Sequence, residues 1–153
     1  MWKTPVRGLS LTAGVTYADT KFGNFPPPLA NLTRLSGNTL PYAAKWNLTG
    51  GIVSKQPVTD KFNLTTSASV KWTSRYNTGS NLDPLKVQDP FAIVNARIGL
   101  EPASEVWSLE LYVHNLTNSD YLQVAVDQPL QSGTYGAFLG SPRQYGVTGR
   151  VRF

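Results

Sequence analysis

Apolar and polar residues alternate with a period of two in six separate runs of this chain, and helical spacing is nearly absent. Successive side chains of a strand point to opposite faces, so each run reads as a strand with one apolar side and one polar side. The first run sets Leu9, Leu11, Ala13, Val15 and Tyr17 against Ser10, Thr12, Gly14 and Thr16. The second sets Tyr42, Ala44, Trp46, Leu48 and Ile52 against Lys45, Asn47 and Thr49, and the third sets Phe62, Leu64, Ala68, Val70 and Trp72 against Asn63, Thr65, Ser67, Ser69, Lys71 and Thr73. The fourth opposes Val94, Ala96, Ile98 and Leu100 to Asn95 and Arg97, and the fifth opposes Trp107, Leu109, Leu111 and Val113 to Ser108, Glu110 and His114. The last has Tyr145, Val147, Val151 and Phe153 on one side and Gln144, Thr148, Arg150 and Arg152 on the other.

The fold class is therefore all-β: an antiparallel up-and-down sheet. Three features favour a transmembrane barrel wall over a soluble sheet. The connections alternate in length, with long polar loops at 19–41, 77–90 and about 119–142 and short turns at 55–60 and 101–105, the asymmetry of outer-membrane barrels. Aromatic residues sit near the ends of the apolar faces. Phe62 and Trp72 are ten residues apart, about 33 Å along a strand and roughly 25 Å along the membrane normal at ~40° tilt, the height of the apolar band between aromatic girdles. Trp107 and Phe153 join Phe62 in an expected lower girdle, and Tyr17, Tyr42 and Tyr145 lie toward the upper one. The polar face is rich in Ser, Thr, Asn and Gly and carries the charges Lys45, Lys71, Arg75, Arg97, Glu110, Arg150 and Arg152, which suits a wet lumen.

Composition agrees. Only 15% of residues are charged, against roughly 25% in a typical globular domain. With no Cys there is neither a disulfide framework nor a thiolate site, and a single histidine, His114, rules out a multi-His metal cluster made by this chain alone. The net charge of +5 is spread along the chain without the dense run or stripe that nucleic-acid binding requires, so no nucleic-acid partner is expected. No apolar stretch approaches the ~18 residues of a transmembrane helix. The segment Met1-Trp2-Lys3-Thr4-Pro5 has no apolar signal core, so an export signal is expected upstream. Two alternatives share the alternation: a secreted β-sandwich binding module, soluble without detergent, and a small pore closed by several copies.

Four segments, in order over residues 35–153, carry a resemblance: Leu35-Ser36-Gly37-Asn38-Thr39-Leu40-Pro41-Tyr42-Ala43, Val94-Asn95-Ala96-Arg97-Ile98-Gly99-Leu100, the stretch from Trp107 through Asn115-Leu116-Thr117-Asn118 to Tyr121, and Ser141-Pro142-Arg143-Gln144-Tyr145-Gly146-Val147. They resemble the tail of TonB-dependent outer-membrane receptors, particularly the iron-complex receptors; the likeness is weaker over residues 1–34. It implies that residues 1–153 are a partial barrel, its last six strands, located in the bacterial cell outer membrane. The family's plug domain and TonB-contacting segment have no counterpart here, and six strands do not close a lumen that takes about 22. A truncated gene model, a split gene or an excised piece is therefore expected.

The implied partners are outer-membrane lipid, the missing plug and remaining strands, the TonB complex through the missing N-terminal part, and the barrel-assembly machinery. That machinery reads an aromatic C-terminal strand, matched here by Tyr145, Val147, Val151 and Phe153; the plain alternative is a last lipid-facing strand. The implied cargo is a scarce nutrient such as a ferric siderophore. No enzyme activity and no cofactor are implied.

Candidate substrate-path residues are the lumenal cations Lys71, Arg75 and Arg97, which focus positive potential toward an anionic cargo, and the loop aromatics Tyr76 and Tyr135. Arg150 and Arg152, at the short-turn end, read better as partners of acids on the missing plug and strands. The first loop, with Phe22, Phe25 and Pro26 to Pro28, is stiffened by its prolines. Asn-Leu-Thr at Asn47, Asn63 and Asn115, and again from Asn31, matches a glycosylation acceptor, but within strands it reads as lumenal Asn and Thr flanking an outward Leu. His114 shares a face with Glu110 and Ser108; with no nucleophile elbow nearby, it reads as a hydrogen-bonded wall residue.

Overall fold

The computed structural model describes residues 2–3, 7–24 and 35–153, with the backbone alone for Trp2 and Lys3. Phe25, Pro26 to Pro28 and Asn31 of the first loop lie outside the described residues. The strands in chain order are β1 (Trp2–Lys3), β2 (Leu9–Tyr17), β3 (Trp46–Pro57), β4 (Phe62–Thr73), β5 (Tyr76–Asn77), β6 (Val87–Gln88), β7 (Phe91–Pro102), β8 (Trp107–His114), β9 (Leu122–Asp127), β10 (Tyr135–Leu139) and β11 (Gln144–Val151), with one 3-10 turn at Pro84–Lys86. Seven of them form one sheet in the order β1-β2-β3-β4-β7-β8-β11, and β5/β6 and β9/β10 make two separate hairpins. All neighbours in the large sheet pair antiparallel. Each of the six expected strands is present, and the large sheet is not closed on itself: β1 and β11 are its two ends.

The long and short connections fall as the sequence predicts. Residues 58–61 and 103–106 join β3 to β4 and β7 to β8, whereas 18–45, 74–90 and 115–143 are long. Strands β3, β4 and β7 are 12 residues each, about 40 Å of extended chain, and at a tilt of ~40° they cover the ~25–30 Å apolar thickness of a bilayer.

Register carries the alternation across the sheet. Val15 pairs Leu48, which pairs Trp72; Ile98 pairs Leu111, which pairs Val147. One face is therefore mostly apolar, interrupted by Ser54, Gln56 and Thr66 toward the short-turn end, and among the described residues nothing covers it: Val15 is 66% exposed, Leu111 54% and Val147 62%. Among the described residues the only buried apolar side chains are Ala44 and Ala125. A β-sandwich buries its apolar face against a second sheet, and none lies against this one among the described residues. The outward rings gather at both ends. Phe62 and Trp107 meet at 6.2 Å at the short-turn end, and Tyr17 and Trp46 at 4.6 Å at the long-loop end.

Three expectations are corrected. β3 begins at Trp46 and not at Tyr42, because Tyr42 has φ 60 in the turn that precedes it; Tyr42 leaves the girdle, and Trp46 takes its place beside Tyr17. Lys45 and Arg75 lie just outside β3 and β4 and are not mid-strand. The long loops are not merely polar connections, since two of them carry the β5/β6 and β9/β10 hairpins.

The uncovered apolar face makes a position-specific prediction. Ala68 on β4 points outward near the middle of its strand, and Ser67 beside it points to the polar side. Ala68→Arg is expected to lower stability in lipid by roughly 2–4 kcal/mol, and Ser67→Arg by much less. Denaturant titration of the membrane-inserted protein measures both; equal losses would contradict the assignment of faces.

Candidate functional site

At the long-loop end of the polar face, β3, β4 and β7 present Asn47, Lys71, Thr73, Phe91, Ile93 and Asn95 to a cavity of about 480 Å³. Loop residues Tyr42, Ala44, Tyr76, Tyr121 and Gln123 complete it. The strand residues are all odd-numbered, as strand parity requires. Phe91 and Ile93 break the polar character of that face at its upper end. The Phe91 ring stacks on Tyr121 at 4.5 Å with an interplanar angle of 9°. Sequence alternation concealed both, because Phe91-Ala92-Ile93-Val94 is an unbroken apolar run that says nothing about which side is which.

The walls of the cavity are held by a polar framework between the two loop hairpins. Tyr76 Oη donates to the Leu122 carbonyl at 3.1 Å, and Leu122 N–H donates to Gln88 Oε1. Ala125 N–H donates to the Thr78 carbonyl at 3.0 Å. The Lys86 ammonium, only 1% exposed, pairs with Asp127 and donates to Asn81 Oδ1 at 3.2 Å, while Asn81 Nδ2 donates to the other Asp127 oxygen at 3.0 Å. A buried ammonium is stable only when so matched. Burial pushes the Tyr76 hydroxyl above its usual range, with a smaller contribution from Tyr121.

A second framework ends β8. Asn115 is 3% exposed with φ 51, a left-handed conformation that Asn tolerates better than most residues. Its Nδ2 donates to the carbonyls of Ser119 and Ser141, its Oδ1 accepts from Ser119 N–H, and its own N–H donates to Asn95 Oδ1 at 3.0 Å. Asn118, also left-handed at φ 51, accepts from Arg143 N–H. The stretch Asn115-Leu116-Thr117-Asn118 is thus an exposed turn anchored by the buried Asn115, and it ties the end of β8 to the approach to β11. Asn115 is not the lumenal strand residue expected of it, whereas Asn47 and Asn63 do sit in β3 and β4, with Leu48 and Leu64 outward.

Of the five candidate path residues, the structure brings Lys71 and Tyr76 together in the cavity. Arg75 lies in a neighbouring recess with Lys45 and is tied to Asp89 by hydrogen bonds of 3.1 and 2.9 Å. Arg97 is lower on the wall, 3.2 Å from Glu110 and 5.8 Å from the centre of the Tyr112 ring. Tyr135 borders a separate recess with Asp83 and Gln128. His114 packs its ring against Tyr112 at 5.2 Å, and among the described residues its side chain has no hydrogen-bond partner, contrary to expectation. Tyr112 itself lies across the next strand: a Cβ at Gly146 would stand 2.7 Å from its ring, so a larger residue there would push the end of the Tyr112 side chain aside.

At the short-turn end Arg152 pairs with Glu105 within this chain, and Glu105 also meets Lys55, which reaches Glu101. Arg152 thus has its acid here, while Arg150 has none among the described residues. The outward Tyr145, Val147 and Val151 lie along β11, and Phe153 follows it, fully exposed.

Two measurements test these frameworks. Asn115→Ala removes three part-buried side-chain hydrogen bonds and a residue suited to its backbone angle; it is expected to lower stability by about 3 kcal/mol, read as a reduced denaturation midpoint, while Asn115→Gly restores only the backbone part. The hydrogen bond from Lys55, then the charges of Lys55 and Arg152, hold the Glu105 carboxyl below its ordinary value of 4.5. A carboxylate with a lowered folded-state pKa stabilises above its unfolded value and loses that contribution as pH falls through the folded one. Thermal stability is therefore expected to decline below pH 4.5, and Glu105→Gln to flatten that decline.

The family model described as TonB dependent receptor-like, beta-barrel matches residues 2–116. The match reaches back through residues 2–34, where the likeness looked weaker, and includes the segments at 35–43 and 94–100; the segment at 141–147 lies beyond it. With three quarters of its length matched and an uncovered, membrane-tall apolar wall, this chain belongs to the TonB-dependent receptor β-barrel family, a family of outer-membrane transporters.

Proposed function

We propose that this chain forms the last six membrane-crossing strands of an outer-membrane receptor that imports a scarce nutrient, a ferric siderophore being the cargo the resemblance implies. The observation that carries the reading is the largely apolar face that runs from β2 to β11 and that nothing covers among the described residues. Hydrocarbon is the solvent that such a face suits. Hydrocarbon also tolerates no unpaired sheet edge, so β1 and β11 need further strands beside them. A receptor barrel of about 22 strands supplies those, together with a plug that fills the polar lumen. Energy would arrive from the TonB complex through the N-terminal part, and the barrel-assembly machinery would read Tyr145, Val147, Val151 and Phe153.

Arg97 and Arg75 already have acidic partners, which weakens them as cargo contacts. Lys71 has none among the described residues and lines the cavity with Tyr76, which favours these two. Several copies closing a small pore would also cover both sheet edges; that reading predicts a defined oligomer and a conductance.

Fractionated cells blotted with an antibody to residues 77–90 test the proposal. A heat-modifiable outer-membrane band several times larger than 16.7 kDa is the expected outcome. A soluble band at 16.7 kDa would remove the transporter reading and bring the secreted module forward.

A further inference from the structure

We infer that the cavity at the long-loop end is a subsite for an organic monocarboxylate carried on a planar ring. The inference rests on the import reading and names what part of a cargo the site would recognise.

The cavity is rich in unused donors and has no acid. Among the described residues no Asp or Glu lines it. Asn95 already spends its oxygen on the Asn115 N–H, so what remains to the cavity is its NH2 group. Gln123 and the Lys71 ammonium line the same space without a hydrogen-bond partner among the described residues. Lys71 is also without a carboxylate partner, although seven other cations in this chain have one. Convergent donors with one positive charge match an acceptor-rich group of one negative charge.

The rings supply the second half. The Phe91 ring is stacked on Tyr121, whose other face lies against Gly140, so the outer face of Phe91 is the one left for a ligand, and the hydroxyl of Tyr76 is tied to the Leu122 carbonyl. These rings are held before any ligand arrives, so stacking a planar group on Phe91 orders little that is not already ordered. The cavity, at about 480 Å³, is of the size that holds small organic ligands.

The test uses the protein extracted from outer membranes in detergent and three probes: 4-hydroxybenzoate, its neutral isostere 4-hydroxybenzamide, and acetate. Ligand-observed NMR titration is expected to give saturable binding of the benzoate, about tenfold tighter than either other probe, as one charge-assisted hydrogen bond supplies. Lys71→Gln is expected to abolish the preference for acid over amide, and Lys71→Arg to retain it. Equal binding of acid and amide, or a preference that survives Lys71→Gln, would overturn the anion. Acetate binding as tightly as the benzoate would overturn the ring. The heat-modifiable band is followed in the same preparations. If the band is present, a negative binding result sinks the ligand class alone; if wild-type protein is missing from the outer membrane, the import reading fails and this one with it.

Discussion

Backbone N–H and C=O groups inside a bilayer have no water to turn to, so each must find its partner in the neighbouring strand. The long ladders of this protein meet that demand. β3 pairs β4 from Asn47↔Thr73 to Pro57↔Asn63, and β4 pairs β7 from Phe62↔Pro102 to Thr73↔Phe91, both without a break in register. An unbroken register keeps strand parity in step from one strand to the next, and so two faces of opposite character run across the whole sheet. The usual stabilising element of a soluble domain, a buried apolar core, has no counterpart among the described residues beyond Ala44 and Ala125. Apolar side chains face outward instead, where the lipid stands in for the core.

The polar side obeys different rules. With little apolar surface to bury there, order comes from hydrogen bonds and ion pairs, which hold only if they are matched. Lys86 with Asp127 and Asn81, Gln88 with Leu122, and Asn115 with Ser119 and Ser141 are such matches. They join the β5/β6 hairpin to β9/β10 and the end of β8 to the start of β11. These connections hold Tyr76, Tyr121 and Gln123 over the strand residues Lys71, Phe91 and Asn95. The cavity therefore depends on loop residues that are polar, buried and mutually satisfied, and loosening any one of them would loosen its walls.

Charge on this face is mostly settled within the chain. Arg75 with Asp89, Arg97 with Glu110, and Arg152 with Glu105 are neighbours across a loop, a strand pair and a turn. These exposed pairs add little stability each, but they decide which cations are left to meet something else. A scattered set of basic lumenal residues in the sequence thus reduces to Lys71 in the cavity and Arg150 far below it.

The sequence by itself determined the six strands, their order, the alternation of long loops with short turns, and which side of each strand is apolar. These follow from a period-two pattern that depends only on local backbone geometry. Where the pattern lapses, local reasoning lost its hold. Tyr42 counted as a strand residue until its positive φ put it in a turn, and the apolar run Phe91-Ala92-Ile93-Val94 gave Phe91 and Ile93 no side until register set them inside. The loop hairpins, the burial of Lys86 and Asn115, and the grouping of Lys71 with Tyr76, Tyr121 and Gln123 were decided by tertiary structure alone. The burials and the grouping rest on residues far apart in sequence, Lys86 with Asp127, Asn115 with Ser141 and Lys71 with Gln123, and no spacing within a single strand or loop carries that information.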